Sequence, residues 1–76
     1  MNNIRRKELA GIQSRLEDLK GELETLRDEE QEYLDVMPES IQGGDKGQAA
    51  EDAVSRMEDA ISSMEDAVSS VEEAAI

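Results

Sequence analysis

The sequence predicts an all-α fold: an antiparallel two-helix coiled-coil hairpin that dimerises into a four-helix bundle. Three observations predict it. Residues 50–76 repeat one seven-residue phrase, AEDAVSR, MEDAISS, MEDAVSS and VEEAAI. Residues 9–37 carry a second heptad of Leu and Ile. Between them lies PESIQGGDKGQ (38–48), rich in residues that interrupt helices. Apolar residues at two positions of a seven-residue repeat place one stripe along a helix, and such a stripe must pack on another helix.

In the first segment Leu9, Leu16, Leu23, Glu30 and Met37 fall at position a, and Ile12, Leu19, Leu26 and Tyr33 at d. Only Glu30 interrupts this seam. A lone polar residue in a coiled-coil core acts as a register device, or its carboxylate snorkels to water beside Arg27. The predicted helix covers 4–37. Pro38 disfavours helical geometry at Met37 and closes it there.

The turn is assigned to 38–45. Gly43 and Gly44 permit left-handed backbone and a chain reversal. Asp45 followed by Gln48 reads as a capping box opening the second helix, assigned to 46–75. Its a positions are Val54, Ile61, Val68 and Ala75; its d positions are Ala50, Met57, Met64 and Val71. Short connections join antiparallel neighbours.

Antiparallel pairing sets Leu26 against Ile61, Leu19 against Val68 and Tyr33 against Val54. The flanking e rows then bring Arg27 to Glu58, Lys20 to Glu65 and Gln13 to Glu72. No pair is like-signed, so the charges select this register. The basic Arg5, Arg6 and Lys7 at one helix N-terminus and the acidic Glu72 and Glu73 at the other C-terminus each oppose their own dipole. A hairpin makes them neighbours that offset one another.

Ala53, Ala60, Ala67 and Ala74 recur at g, beside the apolar seam. The second helix is therefore apolar over three rows, wider than a two-stranded pair needs. A second hairpin, giving a homodimer, or a partner helix is expected along this edge.

The composition narrows the function. Seventy-six residues make one small domain, and a chain so short favours oligomerisation. With no Cys and no His there are no disulfides and no Cys/His metal centre, and no cofactor is expected. Twenty acidic residues against eight basic give −12. Direct contact with nucleic acid or an anionic membrane is disfavoured, because phosphates need a positive patch. No run of apolar residues spans a bilayer. The start, MNNIRRKEL, lacks the apolar stretch of a signal peptide, so residence in the cytoplasm is the expectation.

Catalysis is not expected. Ser55, Ser62, Ser63, Ser69 and Ser70 lie on the outer helix face without a neighbouring base. The carboxylates have no cleft to shift their pKa values. GGDKG (43–47) lacks the spacing of a phosphate loop.

The candidate binding surface is acidic. Glu51 and Asp52, Glu58 and Asp59, Glu65 and Asp66, and Glu72 and Glu73 fall at e and f. The pairs recur roughly every 10.5 Å along a helix. Such a negative rod can enter a basic groove built for nucleic acid. The stretch LRDEEQEYLDVMPESIQGGDKGQAAEDAVSRMEDAISSMEDAVSSVEEA (26–74) resembles short acidic helical-hairpin proteins encoded by phages and prophages of Gram-positive bacteria. The resemblance carries over no site residue. It implies phage–host interaction, in which small acidic proteins block host nucleases or other defence proteins. The expected function is thus a non-enzymatic inhibitor or modulator of a host defence or nucleic-acid-binding protein. The alternative is a structural or adaptor bundle whose acidic face is only solvated.

Overall fold

A computed structural model describes residues 1–76. It is all helical: α1 spans Asn3–Asp35, α2 Glu39–Gln42 and α3 Asp45–Ala74. Helices α1 and α3 lie antiparallel, since Gln13 meets Glu72 while Lys20 meets Glu65. The hairpin is a rod of 59 × 14 × 12 Å.

Helix α1 starts at Asn2, whose Oδ1 accepts the Arg5 N–H at 2.8 Å. This satisfies one of the donors that a helix start leaves unpaired. The helix stops at Asp35, two residues short of the expected end at Met37, the residue that Pro38 disfavours from helical geometry. Pro38 is itself extended and caps a single helical turn, with the Ile41 and Gln42 N–H groups donating to its carbonyl. The expected turn thus holds a short helix of its own. That turn places Gln42 where its Nε2 donates to the Leu34 carbonyl at 3.0 Å. The Leu34 carbonyl, which also accepts the Met37 N–H at 3.2 Å, thereby ties the end of α1 to the turn.

Two details of the turn differ from expectation. No residue has positive φ: Gly43 is right-handed helical and Gly44 extended. The reversal is made by the α2 turn instead of by left-handed glycines. The capping box is also not formed. Gly44 is the N-cap, Asp45 is already helical, and the Gln48 amide reaches Asp52. At that position the Asp45 carboxylate still favours the positive end of the α3 dipole.

The core is thin and sits near the turn. Met37, Ala50, Val54 and Ile61 are its buried apolar residues, together with Gly47. Farther from the turn, Leu9, Leu16, Met64, Val68 and Val71 are half-buried. Gly47 is needed for the tightest approach, because a Cβ there would overlap the Gln42 backbone.

The seam corrects the a/d expectation for α1. Its a residues Leu9, Leu16, Leu23 and Glu30 are half-buried, and so are its e residues Gln13, Lys20, Arg27 and Leu34. The d residues are turned outward: Ile12 is 40% exposed, Leu19 54%, Leu26 55% and Tyr33 49%. Rotation of α1 about its axis lays the aliphatic stems of Lys20 and Arg27 along the seam, their polar ends reaching water. It also lets Gln13 and Lys20 reach the e row of α3. The d side chains keep 40–55% of their surface in water.

Candidate acidic interface

Every member of the acidic ladder is exposed: Glu51, Asp52, Glu58, Asp59, Glu65, Asp66, Glu72 and Glu73. They stand on α3 because the heptad assigns acidic residues to e and f while a and d face α1. The ladder is about 33 Å long, at 1.5 Å per residue from Glu51 to Glu73.

Its electrostatics are nearly uncompensated. Lys20 Nζ lies 3.6 Å from Glu65, the one ion pair between the helices. Gln13 Nε2 donates to Glu72 at 2.7 Å, and Gln48 Nε2 to Asp52 at 3.0 Å. Arg27 does not reach Glu58; its Nε binds the neighbouring Asp28 at 2.9 Å. Glu51, Glu58, Asp59, Asp66 and Glu73 make no side-chain hydrogen bond and no ion pair. These are the members that point to solvent without a partner.

The far end is also built differently from expectation. Arg6 Nε donates to the Ala75 carbonyl at 3.1 Å, and its Nη1 donates to Asn3. The guanidinium therefore compensates the C-terminal end of α3 through a backbone carbonyl, not through Glu72 or Glu73. Glu30 is half-buried and makes no ion pair with Arg27.

On the alanine edge, Ala53 and Ala67 are half-buried, and Ala60 and Ala74 exposed. The edge lies about 150° around α3 from the ladder, at 100° per residue. The two candidate surfaces are thus on different sides of the rod. Sequence reading missed the outward d row of α1, since a row of Leu at d reads as core. Its only signal was the e row of long polar side chains able to share the seam.

The rod has no cavity. No group of three or more carboxylates converges as a metal site, and no helix is long and apolar enough to cross a membrane. What the arrangement offers chemically is a linear field of carboxylates on a stiff support. No family model, curated protein or solved structure matches this chain.

Proposed function

We propose that this chain is a non-enzymatic protein-binding module whose acidic ladder docks on a basic protein surface. In the setting that the phage resemblance implies, it inhibits or modulates a host defence or nucleic-acid-binding protein in the cytoplasm by occupying its basic groove. The observation that carries the reading is the exposure of eight ladder carboxylates, of which only Glu65 is paired with a cation. Uncompensated charge on one side of a rod raises the local potential and speeds encounter with an opposite surface.

The test is an affinity pull-down from nuclease-treated host lysate at low and high salt. Recovery of a nucleic-acid-binding or defence protein, lost at high salt, supports the proposal. The companion variant carries Glu58→Lys, Asp59→Lys and Asp66→Lys, three positions whose side chains make no hydrogen bond or ion pair inside the hairpin. It should lose the target while circular dichroism stays helical. Capture that survives both high salt and the triple reversal would sink the reading.

A second reading is a structural or adaptor bundle formed by self-association of the hairpin. It is favoured by the exposed Ile12, Leu19, Leu26 and Tyr33, a row that a lone hairpin leaves in water. The two readings are compatible, because ladder and row occupy different sides.

A further inference from the structure

We infer that the outward row of α1 is the docking surface for a second copy of this chain. The two hairpins pack about a two-fold axis parallel to the rod, each α1 row lying on the alanine edge of the other copy's α3. The inference rests on the self-association reading above and specifies its face and orientation.

Area points to a second copy. The chain exposes 5532 Å², whereas a compact monomer of its mass exposes about 4,600 Å². The excess, about 900 Å², comes with the rod shape, and side-by-side packing of two rods is the association that would remove surface on the scale of one partner's share of a standard interface, about 800 Å². The row itself presents on the order of 400 Å² of apolar surface, the size of the largest patch on a typical monomer, which is often functional.

The face follows from the pairing. In an antiparallel pair the e rows flank one side of the seam and the g rows the other, and the rotation of α1 turns its d row to the g side. Gln13–Glu72 and Lys20–Glu65 mark the e side. The α1 d row and the α3 alanine edge therefore share the opposite side. Those two contacts also give the level, since each joins residue numbers adding to 85. By this rule Leu26 stands within one residue of the level of Ala60, and Leu19 within one residue of Ala67, since both pairs add to 86.

Charge permits this face and excludes the other. All the carboxylates of α3, Asp45 included, occupy e and f. Two copies of charge −12 can meet on the d and g side without bringing their ladders together.

Orientation follows from size and charge. With the axis parallel to the rod, the large α1 row meets the small alanine row within one residue of the same level, Leu26 on Ala60 and Leu19 on Ala67. The outer flanks also match. Glu29 comes level with Arg56 of the other copy, and Val36, 73% exposed, comes level with Ala49. Arg56 has no ion pair within its own chain. An axis across the rod would instead stack Leu19 on Leu26, alanine on alanine, and Glu22 on its own copy. That arrangement leaves voids on one side and like charges on the other.

The absence of cysteine makes proximity measurable. Sedimentation equilibrium gives the mass of the native chain. Single variants Leu26→Cys and Ala60→Cys are then mixed under mild oxidation, beside a mixture of Leu19→Cys and Leu26→Cys. A dimer in which the Leu26→Cys/Ala60→Cys heterodisulfide predominates supports the proposal. A dimer in which the Leu19→Cys/Leu26→Cys product predominates overturns the orientation and leaves self-association standing. A fully helical monomer at the highest attainable concentration overturns both. Independently, Glu29→Arg or Arg56→Glu alone should raise the dimer dissociation constant about three- to tenfold, and the double exchange should restore it. Additive losses without restoration would count against the pairing.

Discussion

Gly47 and Gly21 are the same residue type inside helices, yet they answer to different physics. A Cβ at Gly21 meets open space, so Gly21→Ala should stabilise by about 0.5–1 kcal/mol through backbone entropy. A Cβ at Gly47 overlaps the Gln42 backbone, so Gly47→Ala should lower the melting temperature despite the better helix former. Thermal melts of the two variants should therefore move in opposite directions; a rise in both would remove the close approach as a constraint. At Ile61, 6% exposed, truncation to Ala should cost about 2–5 kcal/mol, measured by urea unfolding. A loss of that size takes much of the stability a domain this small can hold. The buried Ile61 and Val54 were legible as a positions of a clean heptad. The role of Gly47 was not, because it depends on where Gln42 lands across the turn. Nor was the backbone of Gly43 and Gly44: glycine permits left-handed geometry but does not impose it.

At the scale of the element, the two long helices and their antiparallel order could be read from heptad phase and the Pro38 break. The face that α1 turns inward could not. Its a, d and e rows all carry side chains able to cover apolar surface, because Lys20 and Arg27 have long aliphatic stems. Which two rows meet α3 depends on what α3 offers, and the e-row contacts of Gln13 and Lys20 decide it. The same geometry grades stability along the rod. The buried residues cluster between Met37 and Ile61, while both chain ends carry only half-buried contacts. Amide exchange should be slowest in residues 50–61 of α3 and fastest in the first turns of α1 and the last turn of α3. Uniform protection along α3 would contradict this gradient. Asn2→Ala, which removes the α1 cap, should cost only about 0.5–1 kcal/mol, since that end carries no buried residue.

For the whole molecule, charge is the largest unbalanced quantity. A net −12 is opposed by one ion pair between the helices. Self-repulsion therefore outweighs the attraction that salt would screen. Raising sodium chloride from about 0.01 M to about 1 M shortens the Debye length from about 30 Å to about 3 Å. The melting temperature should rise over that range, by roughly 4–8 °C for each kcal/mol of repulsion removed. A fall would mean that attractive pairs dominate instead. The ladder was fully legible, since a strict period of seven places e and f on one side whatever the seam does. Which of its members are engaged within the hairpin was only partly legible. Lys20–Glu65 and Gln13–Glu72 formed as charge and reach predict, whereas Arg27 turned to Asp28, one residue away on its own helix.

The long axis of 59 Å has a practical consequence for anyone purifying this protein. The radius of gyration is 17.3 Å, whereas a compact chain of this length would have about 11 Å. A globule with the larger radius would contain roughly 230 residues. On a sizing column, which sorts by hydrodynamic volume, a single rod should elute as if it were several chains. An early peak is therefore no sign of association. Two rods lying side by side would thicken the particle without lengthening it, so the column would separate one from two poorly. Light scattering, which weighs the particle and ignores its outline, is the measurement that distinguishes them.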